Sequence, residues 1–276
     1  MNATQPGRVP DFLIIGAQKC GTSWLHHQLR QSDEIFMPAD KDHEHFSYVG
    51  NLNAEVFADW CRRFAPAAAG QLAGDANAAY FWTRSGSAWS RQPASFNPDI
   101  PRSVRRFCGP QLKLIVMLRD PVERSVSAYL HHIRHGAITP VDSILDPDLP
   151  LGIIDMSLFR VHLANWLDAY PAENIHIVKA LPDARESAVT TVEAVCRFLG
   201  AAPPPLERYY FEPVFPGLAR VVDDYGVWMR AQGEYRRPPA SRAGAAKTIG
   251  GERYVRVVSS AELTRLRELL ADQAIG

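Results

Sequence analysis

The chain has 276 residues, 46% of them hydrophobic and 22% charged, enough for a substantial core. Its formal net charge of zero gives no global field toward nucleic acid or an anionic membrane, though local basic patches stay open, and no nucleic-acid partner is expected. No apolar run approaches the roughly 20 residues that span a bilayer, and Cys20, Cys61, Cys108 and Cys196 show no metal-like pairing.

Residues 1–10 are polar, contain proline and glycine, and read as a flexible N-terminus without the apolar core of a signal peptide. Together with scattered free thiols, this gives a cytoplasmic expectation. Next, Phe12 to Ile15 is an apolar run entering a turn bounded by Gly16 and Gly21, and a helical pattern over 22–31 follows at once. A strand, a loop and a helix N-terminus bind phosphate through backbone N–H groups and the positive end of the helix. The glycine spacing is that of a nucleoside-triphosphate P-loop. That motif has a lysine after its second glycine, where this chain has Thr22 and Ser23. Its lysine, Lys19, stands inside the loop. The amides of Cys20, Gly21, Thr22 and Ser23 could still clamp a phosphate. Lys19 would then lie at its edge, placed to stabilise charge growing on a leaving oxygen.

A charged, histidine-rich loop over 37–46 precedes a helix predicted for 53–64, with Val56, Phe57, Trp60 and Phe64 on its apolar face. Lys113 to Leu118 fits a buried parallel strand. After it, Asp120 reads as an N-cap, Pro121 as the first helical residue, and Glu123 as the third-position partner of a capping box. Arg119 leaves this strand at its C-terminal edge, where α/β sheets bind ligands, and a guanidinium grips phosphate bidentately. Ser127, eight residues on, can donate to the same group.

Phe159, Leu163, Trp166, Leu167 and Tyr170 mark another amphipathic helix, and 174–179 a short strand. A helical face through Val189, Val192, Val195 and Leu199 closes at Gly200. Residues 233–256 include a Gly-, Ala-, Pro- and Arg-rich stretch and read as a mobile loop. A last helix begins near Ser259, with Glu262 three residues later. Strands alternating with helices imply one α/β domain over 1–276, a parallel sheet with helices on both faces.

Lys19-Cys20-Gly21-Thr22-Ser23-Trp24 resembles the 5′-phosphosulfate loop of sulfotransferases that use 3′-phosphoadenosine 5′-phosphosulfate, and the chain is similar to their carbohydrate and heparan-sulfate branch. The resemblance implies that Lys19 meets the bridging oxygen and that Gly21, Thr22 and Ser23 hold the 5′-phosphate. Trp24 either stacks on adenine or packs in the core. The segment from Leu114 through Arg119-Asp120-Pro121 to Ser127 resembles the family's 3′-phosphate signature, one hundred residues after Lys19. Read without gaps, residues 35–46 resemble the segment that carries the family's base, with Lys41 at its lysine and Asp42 at its glutamate. A one-residue slip puts His43 there, and Glu44 is the third candidate. Histidine has the unperturbed pKa nearer neutrality.

Gly74 to Tyr80 resembles an acceptor-side segment in which Ala76, Asn77 and Ala78 depart from the family pattern. This leaves Asp75, Asn77 and Tyr80 as pocket residues. Lys247, Gly250, Gly251 and Arg253 resemble a late loop that covers the nucleotide. The function so implied is sulfonate transfer to a hydroxyl, or less readily an amine, of a small-molecule, carbohydrate or lipid acceptor. Adenosine 3′,5′-bisphosphate leaves and no metal takes part. A P-loop kinase or NTPase, or a non-catalytic adenine-nucleotide module, are the other readings.

Overall fold

The computed structural model describes residues 7–139, 142–149, 151–179, 185–211, 220–231 and 246–275. They fall into two compact units. The described residues of 7–84, 93–119 and 161–211 form the first. Those of 85–92, 120–160 and 220–275 form the second.

The first unit is built on a five-stranded sheet whose paired strands are all parallel: β1 (Phe12–Gly16), β2 (Ile35–Phe36), β3 (Leu72–Ala76), β4 (Lys113–Met117) and β5 (Ile175–Val178), in the order β2-β3-β1-β4-β5. Phe12 to Ile15 and Leu114 to Met117 are almost wholly buried, as strands covered on both faces must be. Helices α1 (Thr22–Leu29), α2 (Ala54–Arg62), α3 (Ile100–Cys108) and α6 (Arg185–Leu199) belong to this unit, as does most of α5 (Phe159–Ala169). In α5, Leu163 and Trp166 are buried as their spacing predicts. Leu167 instead faces outward, because it sits a quarter-turn off that stripe.

Connections leave β1 toward β2 and β3, and leave β4 toward β5. The order therefore reverses between β1 and β4, and ligands bind at such a switch point, outside the C-terminal strand ends.

The second unit carries α4 (Pro121–Arg134), α7 (Ser260–Leu269) and a four-stranded antiparallel sheet. Its strands β6 (Arg220–Asp223), β7 (Gly226–Arg230), β8 (Ala246–Ile249) and β9 (Glu252–Ser259) are ordered β6-β7-β9-β8. Val126, Tyr129, Ile133, Met229, Val257 and Leu266 share its core. The Asp120 side chain accepts from the Glu123 N–H, and Ser259 and Glu262 form a full capping box.

Of the stretch expected as a mobile loop over 233–256, residues 246–249 and 252–256 lie in β8 and β9, while 233–245 lie outside the described residues. Gly250 (φ 55°) and Gly251 (φ 82°) make a two-residue hairpin turn between β8 and β9, a backbone that only positive φ at both centres allows. Lys247 is tied to Asp223 and sits 4.2 Å over the Trp228 ring, linking β8 to β6 and β7 on one face of the sheet.

Candidate active site

The loop after β1 and the residue after β4 meet at the switch point. The Ala17 N–H donates to the Met117 carbonyl at 2.8 Å, and Arg119 Nη1 donates to the Lys19 carbonyl at 3.4 Å. Two cations separated by one hundred residues of sequence thus stand at one sheet edge. Lys19 has φ 67°, a left-handed conformation that costs a non-glycine residue about 1–2 kcal/mol. Gly21, with φ 89° and ψ 14°, is the N-cap of α1.

The caps of α2, α3, α4 and α7 each use a side chain, Asn53, Asp99, Asp120 and Ser259. Among the described residues α1 has no side-chain cap and no acidic residue in its first turn. An N-terminus left this way keeps its orphan N–H groups and partial positive charge for an anion. Thr22 is buried, whereas Gly21, Ser23 and Trp24 are half-buried. Cys20 is buried, and its N–H donates to the Ala17 carbonyl at 3.2 Å.

The acceptor-side loop, 37–46, reaches the same edge. The Asp42 N–H donates to the Ala76 carbonyl at 2.8 Å, at the C-terminal end of β3. One Asp42 carboxylate oxygen accepts from the Ala78 N–H at 3.0 Å, and the other pairs with Lys41. Ala78 in turn packs on the donor loop: a Cβ added to Gly16 would come within 2.7 Å of its carbonyl oxygen. Asp42 has φ 62°. Lys19, Asp42 and Leu151 are the non-glycine residues with positive φ among the described residues, and two of the three are candidate chemical groups at one sheet edge. Such strain persists only where the surroundings over-determine it, and it collects at functional sites.

His43 Nε2 lies 2.7 Å from Asp40, and its carbonyl accepts from the Tyr80 hydroxyl at 2.6 Å. Glu44 is exposed and hydrogen-bonded to Tyr48. Asp75 and Tyr80 face inward instead of lining an open pocket. Asp75 is 1% exposed and accepts from Trp60 Nε1 at 3.0 Å. Burial pushes its carboxyl up to about 6 against the pull of Arg63. Desolvation likewise raises the fully buried Tyr80 phenol. Asn77 is buried, and its Oδ1 accepts from the Ala79 N–H to shape the turn after β3.

His45 is 4% exposed and stacks on Trp60 within a cluster that includes Phe46, Phe57 and Phe107. Neither ring nitrogen has a hydrogen-bond partner among the described residues, and desolvation holds its pKa down at about 4. Sequence reasoning also passed over Arg63 and Asp40. The only signal for them was a cation one turn after Trp60 and a carboxylate in the charged loop.

Ser127, Lys247, Gly250, Gly251 and Arg253 belong to the second unit. Ser127 is half-buried on α4, six residues after Pro121, while the other four lie on the β8–β9 hairpin. A groove of about 730 Å³ beside α3 and α5, lined by residues including Arg102, Arg105, Arg106 and Tyr170, contains none of the candidate residues. It lies where the chain runs into β4 and β5, at the opposite end of the strands.

The sulfotransferase domain family matches residues 9–210, nearly three-quarters of the sequence. The chain belongs to that family. The chain is 24% identical over 239 residues to human bifunctional heparan sulfate N-deacetylase/N-sulfotransferase 2, covering 80% of this chain and 24% of that protein. It is 26% identical over 251 residues to mouse carbohydrate sulfotransferase 15, covering 71% of this chain and 44% of that protein. The chain therefore spans about a quarter of the first relative and under half of the second. A crystallised sulfotransferase from Alicyclobacillus acidocaldarius shares the fold, with a TM-score of 0.56 at 22% identity, over 74% of this chain and 87% of that one.

Proposed function

We propose that this sulfotransferase domain moves the sulfonate of 3′-phosphoadenosine 5′-phosphosulfate to a hydroxyl or amine of a carbohydrate acceptor. The observation that carries the reading is the placement of Lys19 and Asp42 beside neighbouring strand ends. Both hold strained positive-φ conformations at the C-terminal ends of neighbouring strands β1 and β3. One is a cation beside an uncapped helix N-terminus; the other is a carboxylate fixed at both its backbone and its side chain. The donor fits this cradle because the α1 amides and Lys19 suit a 5′-phosphosulfate. Arg119 supplies a fork for a second phosphate.

Sulfuryl transfer needs in-line approach, stabilisation of the leaving group and removal of the acceptor's proton. Asp42 would take that proton as the acceptor's oxygen or nitrogen bonds to sulfur. The bond from sulfur to the bridging phosphate oxygen breaks, and Lys19 with the loop amides would carry the charge left on the departing bisphosphate. A carbohydrate acceptor is supported by the names of the two curated relatives.

Calorimetry with adenosine 3′,5′-bisphosphate and with ATP–Mg²⁺ tests the donor. Binding of the first and not the second is expected, and the reverse would overturn the reading. Labelled donor offered to N-desulfated heparan, chondroitin and simple phenols then identifies the acceptor class.

A further inference from the structure

Arg63, at the C-cap of α2, joins three parts of the first unit. Its Nη2 donates both to the Asp40 backbone carbonyl at 3.1 Å and to the Asp40 carboxylate at 3.0 Å. Its Nη1 lies 3.6 Å from the buried Asp75 carboxylate on β3. The second Asp40 oxygen meets His43 Nε2. The Arg63 side chain is only 18% exposed and Asp75 is buried, so that link operates away from bulk water, whereas the Asp40 end of the chain lies at the surface.

A plain counter-ion for Asp75 would need the Nη1 contact alone, since a buried carboxylate requires a partner. The Nη2 fork is additional, and it grips main chain and side chain of the same loop residue. Asp42 sits between the two residues this chain fixes, Asp40 and His43. The His43 carbonyl is pinned independently by the Tyr80 hydroxyl. A residue at φ 62° stays there only when its neighbours leave it no alternative.

We propose that Arg63 is a positioning residue for the acceptor-side loop. It anchors Asp40 to β3 and, through Asp40 and His43, holds Asp42 in place to receive the acceptor's proton. The inference rests on the reading of Asp42 as base given above.

Arg63→Met keeps the stem but strands Asp75, so the deciding variant is the double Arg63→Met/Asp75→Asn, with Arg63→Lys as the conservative control. Three readouts are taken on the full chain: affinity for adenosine 3′,5′-bisphosphate, kcat and KM with the labelled donor and the acceptor from the panel above, and amide exchange at Asp42 and Ala78. In the double variant, bisphosphate affinity is expected to stay within about 2-fold while kcat falls about 100-fold, the penalty of a misplaced catalytic group. Exchange at Asp42 and Ala78 should quicken at least about 10-fold, with Ile14 and Ile15 on β1 unchanged, as local opening predicts. Lysine, a charge without the fork, should recover part of kcat.

Unchanged exchange overturns the positioning role, and faster exchange with full kcat overturns its catalytic purpose. Failure of the wild-type chain to bind the bisphosphate would instead strike at the donor reading, and the exchange result stands apart from that outcome.

Discussion

The Asp42 carboxylate accepts a hydrogen bond from the Ala78 N–H at 3.0 Å, which joins the acceptor-side loop to the turn that follows β3. Asparagine at this position keeps an oxygen for the Ala78 N–H and cannot take a proton. Asp42→Asn should therefore lower kcat by about 10²–10⁴, the usual contribution of a general base. Bisphosphate affinity and thermal midpoint should hardly move. His43→Asn is the comparison, and full turnover in Asp42→Asn with loss in His43→Asn would transfer the role to histidine.

Lys19 separates strain from chemistry. Glycine adopts φ 67° freely, so Lys19→Gly should stabilise the fold by about 1 kcal/mol while turnover drops about 10²–10³-fold. Alanine keeps the backbone penalty, and Lys19→Ala should lose turnover without the gain. Denaturant unfolding beside single-turnover assays reads both quantities. A glycine variant that retained turnover would remove Lys19 from the mechanism.

His45 is a neutral ring buried among aromatic side chains, with neither nitrogen partnered among the described residues. Unsatisfied buried polar groups cost about 1–3 kcal/mol, so His45→Phe should raise stability at pH 7 by an amount of that order. The variant should also be less sensitive to acid. His45 has its pKa lowered to about 4 from 6.5, so the unfolded chain takes up a proton that the folded chain refuses. Stability from this source is present above pH 6.5 and lost as pH falls toward 4. His26, lowered to about 4 by burial despite its bond to the Pro38 carbonyl, adds a second loss of the same sign that the variant keeps. Equal acid loss in wild type and His45→Phe would contradict this assignment.

Strands β1, β4 and β5 were legible as short, largely apolar runs set between helices, whereas the two residues of β2 and the Gly- and Asp-containing β3 offered no such run. Lys19 was legible from its place in the glycine-bounded turn after β1, and Arg119 from its place two residues beyond β4. The antiparallel sheet of the second unit was missed through composition. Gly250-Gly251 lies between runs that alternate in burial, a hairpin signal, but the Gly- and Arg-rich stretch before it resembles a mobile segment. Asp75 and Tyr80 were read as pocket residues from their place in a motif. Only the three-dimensional packing of α2 shows that Asp75 turns toward Trp60 and Arg63. Arg63 itself could not be singled out, since its partners lie 23 and 12 positions away in sequence on other elements.

Asp75 supplies the last prediction, with the opposite sign to His45. Its folded pKa is raised by burial from 3.8 to about 6, and the nearby Arg63 guanidinium only partly offsets that rise. Between those values the folded chain holds a proton that the unfolded chain has released. The favourable contribution is fully present below about pH 4 and is lost as pH rises through 6. Above pH 6 the ionised carboxylate therefore weighs on the fold, by up to about 3 kcal/mol at 1.4 kcal/mol per unit. Asparagine is a close mimic of the protonated side chain and can still accept from Trp60 Nε1. Asp75→Asn should thus match wild type near pH 4 and exceed it in stability at pH 7.5, where Arg63 retains Asp40 as its partner. Urea unfolding at the two pH values decides the matter. A difference that is the same at both would mean that Asp75 does not change its charge across this range.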